Sequence, residues 1–599
     1  MSDNIVQTVI SKPQSHARDW KTFVSILVPS VAIAGLAIYY YSRSISDQQP
    51  PSPKRNRRKN KKKNHTTTQQ PPKTTETSQE PSETLPADKN DVVDPQLTAS
   101  QDLDSDLANM PEDQILLLSQ AEKKKISQQL KSRGNKFFQA KRYEKAINLY
   151  TSALKFDKDP VFYSNRAACY AALQEYEKVV TDCNSALKIE PLYIKALMRR
   201  AQSYESINNL RDSLYDYTTI CIIQDFKNNL ASAGAERVLK NIAEAEAKQT
   251  IATREPRLPS KSFISGYFNS FISNGKVAEP TEDSELTEAE KEYNLSLDLA
   301  SKKKYAESIQ HIENAIKLGI DQSKGIGADA YSLKGTYNFL KGSLDQSELD
   351  FNKALELDPS HVRTMYRKAN MYTEKKEIEK VDKLIASALS INPKDPEGFF
   401  QSGQVWFLKQ DFDKAAKDYQ QAINLDQDYV YPYIQLGVAQ FKMGQVENAM
   451  QTFNLAMARF PNRSDLFNYY GEVLAEQGGP VDAAKAFEKS IGIDRSNPLP
   501  YVNKAISTFQ TTGNFELALS LIKEAMTVDP ECELAVAALS QIYLQLGMFE
   551  DSLAMLRRAV ELAKSEEEMI STITFRETTA AQYRFIKEHP EMLQKLSGL

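Results

Sequence analysis

Five side chains between residues 131 and 199 have the types and spacing to hold a carboxylate-bearing ligand: Lys131, Asn135, Asn165, Lys195 and Arg199. Lys131 and Asn135 are four residues apart, which puts them on one face of a helix, and Lys195 and Arg199 repeat that spacing. Two lysines and an arginine converging on a groove form a pocket for more than one carboxylate. Asparagine adds a donor and an acceptor suited to a peptide backbone. A single Lys-x-x-x-Arg face is common on solvated helices, so this chemistry depends on elements that bring all five together. Other chemistry finds little support. The histidines (His16, His65, His311, His361, His589) lie far apart, and none has a cysteine or acid at ligand or triad spacing. Gly325-Ile-Gly327 is a lone GxG without a preceding strand and reads as a loop.

The elements that position these residues follow from a repeat. Gly335, Ala369, Gly403, Gly437 and Gly471 are 34 residues apart without a slip. Twelve residues after each comes Ser347, Val381, Ala415, Ala449 or Ala483, and four further on a bulky Phe351, Ile385, Tyr419, Phe453 or Phe487. Three beyond that stands Ala354, Ala388, Ala422, Ala456 or Ser490. Period and order are the signature of the tetratricopeptide repeat, a pair of antiparallel helices. The small residue lets two backbones approach and the bulky one fills the groove between them. Pro359, Pro393 and Pro461 end second helices. The same grammar runs outward to Ala146, Tyr150 and Ala153 upstream and to Ser552, Leu556 and Ala559 downstream. It predicts an all-α fold of tetratricopeptide-repeat superhelical arrays, with three repeats near 126–227 and eight near 286–563, about eleven in all.

Between the groups the period breaks. Leu230, Val238, Leu239 and Ile242 make residues 228–249 one more amphipathic helix, able to shield the apolar face of a last repeat. Residues 254–261 hold two prolines and no periodicity, which places a domain boundary there. Phe263, Ile264, Tyr267, Phe268, Phe271 and Ile272 then form an apolar stripe at helical spacing. Docking onto one of the arrays is the first reading of that stripe, and a mobile lid is the alternative. The four cysteines (Cys169, Cys183, Cys221, Cys532) sit in repeat helices without CxxC spacing, as small core residues of a reducing compartment. The net charge of −4 argues against nucleic acid as a general partner.

Thr22 to Ser42 contains no charged residue. Twenty-one helical residues span roughly 31 Å, about one bilayer core. Trp20 and Tyr39 to Tyr41 suit the headgroup belts, and the sequence after the run lacks the small residues of a cleavage site, so a retained anchor is expected. Lys12, Arg18 and Lys21 precede it, whereas Arg43 and eight lysines and arginines between 54 and 63 follow it, which keeps the following chain in the cytosol. Residues 43 to about 113, first basic and then acidic, have a disordered composition and a reach of roughly 45 Å.

Three stretches carry a resemblance: KSRGNKFF at 131–138, YSNRAACY at 163–170 and KALMRRA at 195–201. They are similar to the dicarboxylate-clamp tetratricopeptide domains of cochaperones, with Lys131, Asn135, Asn165, Lys195 and Arg199 matching clamp positions by type and spacing. The resemblance implies a ligand, the Glu-Glu-Val-Asp tail of the cytosolic seventy- and ninety-kilodalton heat-shock chaperones. It implies that Lys131, Asn135 and Asn165 hold the terminal main-chain carboxylate, and Lys195 and Arg199 upstream acceptors. Anchor, tether, clamp and long second array together resemble the seventy-kilodalton import receptors of the mitochondrial outer membrane, most of all the fungal ones. The likeness includes the helix near 261–273 and TFRETTAAQYRF at 574–585. It implies a receptor that takes chaperone-bound hydrophobic preproteins, notably inner-membrane carriers, and passes them to the general import pore.

The expected organisation is a tail at 1–21 reaching the intermembrane space, an anchor at 22–42 and a cytosolic tether at 43–115. A three-repeat clamp domain at 116–250, a linker with a docking helix at 251–285 and a preprotein-binding array at 286–599 follow. In that array the repeat register points Phe339, Tyr366, Phe400, Phe407, Ile434 and Phe441 into the groove, although such aromatics also serve as packing between helices. No segment is left for a catalytic domain, so the chain reads as a receptor and not an enzyme, without cofactor or metal. A clamp cochaperone at the endoplasmic reticulum translocon and a non-transport scaffold stay open as alternatives.

Overall fold

Ser119 begins the first long helix by accepting from the Glu122 amide while the Glu122 carboxylate takes the Ser119 amide at 2.9 Å, and Thr287 and Glu290 repeat the device in the second half. Asp159 and Asp395 cap helices that start with Pro160 and Pro396. The computed structural model describes residues 110–592, apart from 274, 281–284 and 324. The anchor expected at 22–42 and the basic run after it lie outside the described residues. Among the described residues no helix is long and apolar enough to cross a membrane.

The helices are α1 (Glu112–Leu117), α2 (Gln120–Gln139), α3 (Tyr143–Phe156), α4 (Pro160–Ala172), α5 (Tyr176–Ile189), α6 (Ile194–Ser206) and α7 (Leu210–Ile223). The long α8 (Asn229–Thr253) and short α9 (Lys261–Asn269) follow. Eight further pairs begin with α10 (Glu288–Ser301) and α11 (Tyr305–Lys317), then α12 (Gly327–Leu340) and α13 (Leu344–Leu357), then α14 (Val362–Glu374) and α15 (Ile378–Ile391). They continue through α16 (Pro396–Leu408) and α17 (Phe412–Leu425), and α18 (Val430–Lys442) and α19 (Val446–Arg459). Next come α20 (Ser464–Glu476) and α21 (Pro480–Ile493), and α22 (Leu499–Thr512) and α23 (Phe515–Val528). The pair α24 (Glu533–Gln545) and α25 (Phe549–Leu562) is the last, and α26 (Glu566–Glu588) ends the described chain. The described residues thus contain the three and eight helix pairs that the period predicts, and no strand.

The small-to-bulky rule has a direct steric reason. A Cβ added at Gly335, Gly403, Gly437 or Gly471 would stand 2.5–2.8 Å from the ring of Phe351, Tyr419, Phe453 or Phe487, and Gly134 meets Tyr150 in the same way at 2.7 Å. Within each pair the turn passes through a left-handed residue. Gly342, Gly444 and Gly478 take it freely, while Lys141, Gln174 and Gln410 take it as non-glycines.

The described residues form two compact units that meet between Ser203 and Tyr204, inside α6, and not in the proline-bearing stretch at 254–261. In the second unit α8 closes against the carboxyl-terminal helix: Ala243 and Ala247 share a core with Val560, Met569 and Ile573. Around that core Arg576 bonds Glu246 at 2.7 Å, Arg211 bonds Glu577 at 2.9 Å and Arg584 bonds Asp212 at 2.6 Å. Burial raises the Glu577 carboxyl, but hydrogen bonds from Arg211 and Arg576 outweigh it and hold the group below its usual range.

Candidate functional site

In the first unit, α2, α4 and α6 are the first helices of successive repeats and carry all five predicted clamp residues. Asn135 and Asn165 are bonded to one another, and Arg199 is held separately. The Asn165 amide donates to Asn135 Oδ1 at 3.2 Å, and the Tyr150 hydroxyl donates to the same oxygen at 2.7 Å. The Arg199 guanidinium donates to Ser164 Oγ, one residue from Asn165. Burial pushes the Tyr150 hydroxyl up, with Arg199 opposing, and pushes the Cys169 thiol up to about 12 against the same guanidinium. Lys195 is exposed and Lys131 half-buried, and neither makes an ion pair among the described residues.

Two supports escaped the sequence reading. Tyr150 registers in the repeat as the bulky packing residue, and nothing in the pattern signals that its hydroxyl orients Asn135. Ser164 has no motif of its own. Arg166, a neighbour of Asn165, is spent on structure, bonding Asp182 through Nε at 2.8 Å and through a second nitrogen at 2.6 Å. An arginine with those two bonds is not available to a ligand, unlike Arg199.

In the second unit the six predicted groove aromatics and aliphatics divide. Tyr366 is 1 % exposed and its hydroxyl donates to Asp395 at 2.7 Å. Phe400 is 4 % exposed between Tyr419 and Tyr429, at 5.9 and 5.3 Å. Ile434 is fully buried in the same core. These three are packing side chains, because the first helices crowd one another closely enough to enclose residues that the register alone turns toward the groove. Phe339, Phe407 and Phe441 are half-buried; Phe339 lies 5.6 Å from the Tyr267 ring and Phe407 lies 5.1 Å from Phe412. Two polar side chains on the same first helices are engaged within the array: Arg363 pairs with Asp329, and Glu472 accepts from Asn468 and Asn503.

The apolar stripe at 263–272 docks, as the first reading of the sequence has it. Phe268 packs against Tyr305 and Tyr337, and Phe271 against Met365, Tyr366 and Ala388.

Models of the tetratricopeptide repeat match residues 328–361, 403–444, 434–498 and 511–571. The chain is 28 % identical over 489 residues to the mitochondrial import receptor subunit TOM70 of Homo sapiens, covering 77 % of this chain and 80 % of the relative. It is 27 % identical over 513 residues to the subunit of that name from Saccharomyces cerevisiae, covering 79 % and 83 %. The crystal structure of yeast Tom70 superposes with a TM-score of 0.50 at 27 % identity, over 79 % of this chain and 99 % of that one. Fold and matches together define a tetratricopeptide-repeat protein of the receptor and adaptor class, which has no enzymatic activity. Within that class, the chain is a homologue of the seventy-kilodalton mitochondrial import receptors.

Proposed function

We propose that the chain is a receptor of the mitochondrial outer membrane that docks cytosolic seventy- and ninety-kilodalton heat-shock chaperones by their acidic carboxyl-terminal tails. It accepts hydrophobic preproteins, such as inner-membrane carriers, on its second array and passes them to the general import pore. Residues 22–42 anchor it with the amino terminus in the intermembrane space, and 43–115 tether the repeats in the cytosol. The observation that carries the docking step is the first unit's cluster. Arg199 is bonded to Ser164, Asn135 and Asn165 are joined, and Lys131 and Lys195 make no ion pair among the described residues. Three cations with a preorganised amide pair suit a peptide that ends in a carboxylate and has another acid close by.

The location is tested by protease treatment of intact mitochondria. The repeats are digested from outside while the membrane stays closed, and import of a carrier preprotein falls with them. A chain found only in reticulum membranes, or repeats protected from protease, overturns the proposal.

A further inference from the structure

The stretch after α8 crosses the second unit instead of merely joining two repeat groups. Ser262 donates to Asp529 through its amide at 3.0 Å and its hydroxyl at 2.6 Å, and Lys564 lies 3.3 Å over the Phe263 ring. Further along, Tyr267 meets Phe339, Phe268 meets Tyr337, and Phe271 sits on Tyr366 with the Arg367 guanidinium 5.3 Å from its ring. The Tyr429 hydroxyl donates to the Ser270 carbonyl at 2.7 Å, and the Ile272 amide donates to Glu397. Tyr337, Phe339, Tyr366, Arg367 and Glu397 all lie on first helices (α12, α14, α16), the helices that line the groove of such an array. Residues 260–272 therefore cover Phe339 and Tyr366, two of the six positions that the sequence turns toward a ligand groove.

The occupant seats Ile264, Phe268 and Phe271 at 1–5 % exposure, yet it keeps features of a ligand. From Ser262 to Ser273 it has no charged residue, and it carries six apolar side chains at helical spacing. Phe263 and Ile272 remain 43 % and 47 % exposed, and a Cβ at Gly266 would meet nothing within 4 Å. Its polar anchors include Ser262 on Asp529, Ser270 on Tyr429 and Ile272 on Glu397.

We propose that residues 260–272 are an internal occupant of the second array's groove, and that the groove's external ligand is an uncharged, aromatic-bearing helical segment which takes their place. This rests on the preprotein-receptor reading and names the chemistry of the segment received. Client binding is then a competition: each client must displace the strap, so tightening the strap weakens binding and loosening it strengthens binding.

The test uses the full-length chain in lipid nanodiscs and a fluorescein-labelled peptide of residues 254–279. In the locked form, Ser262→Cys and Asp529→Cys are bridged by a short bis-maleimide, with Ser262→Cys alone as the control; all four native cysteines are buried. In the loosened form, Tyr429→Phe and Ser262→Ala remove hydroxyl bonds while keeping the rings and the backbone in place. Locking is expected to lower peptide affinity by at least about tenfold, and loosening to raise it about threefold to tenfold. A peptide with Phe268→Ser and Phe271→Ser is expected not to bind. Equal affinity for the locked, loosened and native chains overturns the strap proposal and leaves the receptor reading standing. If none of the three binds the peptide while a carrier preprotein still crosslinks to the second array, the proposed ligand chemistry is wrong. Failure of both peptide and preprotein overturns this proposal together with the receptor reading.

Discussion

In the first unit the candidate clamp side chains stay at or near the surface: Lys195 is exposed, Lys131 is half-buried, and Asn135 is exposed while its oxygen is held by two donors. In the second unit Tyr366, Phe400 and Ile434 are at most 4 % exposed, and Phe339 lies under Tyr267 of the chain's own linker. The contrast follows from the physics of the two surfaces. A cation costs little in water and much when buried, so a charged site is left open and made specific by fixing its neutral neighbours. Aromatic surface over several repeats is costly to expose and invites aggregation, and here most of it is packed between helices while Phe339 lies against Tyr267.

The largest effect that sharpens this contrast is a cavity in one unit only. Phe453 is fully buried against Gly437, and Phe453→Ala is expected to destabilise the second array by about 3–5 kcal/mol in chemical denaturation. Binding of a Glu-Glu-Val-Asp peptide to the first unit is expected to persist. Its loss alongside the array's folding breaks the independence of the two regions.

A smaller effect concerns Glu397, which receives the strap's Ile272 amide. Burial, with Asp395 adding repulsion and Arg367 and Arg363 opposing, pushes its carboxyl up to about 7 from an ordinary 4.5. Between those values the unfolded chain is ionised while the folded one stays protonated, so stability falls as pH rises, with the full penalty above 7 and none below 4.5. Glu397→Gln keeps the acceptor and removes the penalty. It is expected to gain on the order of 2–3 kcal/mol at pH 8, a gain that vanishes at pH 4. An equal gain at both pH values shows that the carboxyl does not titrate in that window.

The smallest effect is salt. Raising ionic strength from 0.05 to 0.5 M is expected to weaken acidic-tail binding severalfold, and to leave binding of the aromatic peptide unchanged or slightly stronger. Parallel salt dependences put the two surfaces in one chemical class and remove the contrast.

Much of this was legible before any coordinates. Gly335, Gly403, Gly437 and Gly471 each announce a ring sixteen residues on, and sterics leave that pair one geometry. The placement of the five candidate clamp residues on successive first helices is readable because helical spacing and repeat period together fix which helix carries each. The groove was legible only as a face. Tyr366, Phe400 and Ile434 recur every 34 residues at one repeat position and Phe339, Phe407 and Phe441 at another, seven residues further along the first helix. The structure encloses the first set and leaves the second half-buried, a division by repeat position that helical spacing alone does not reveal. The roles of Tyr150, whose hydroxyl orients Asn135, and of α8, which meets α26 more than 300 residues later, depend on contacts far apart in sequence.

The most direct measurement is calorimetry of a Glu-Glu-Val-Asp peptide against the native chain and Arg199→Ala. Each charge-assisted hydrogen bond contributes about 1.5–3 kcal/mol, so losing one or two is expected to weaken binding roughly tenfold to several hundredfold. Circular dichroism and melting should stay native, because Arg199 leans on Ser164 from the surface and fills no core. Unchanged affinity in a folded Arg199→Ala chain contradicts the clamp, and with it the division of labour between a cationic first unit and an aromatic second one.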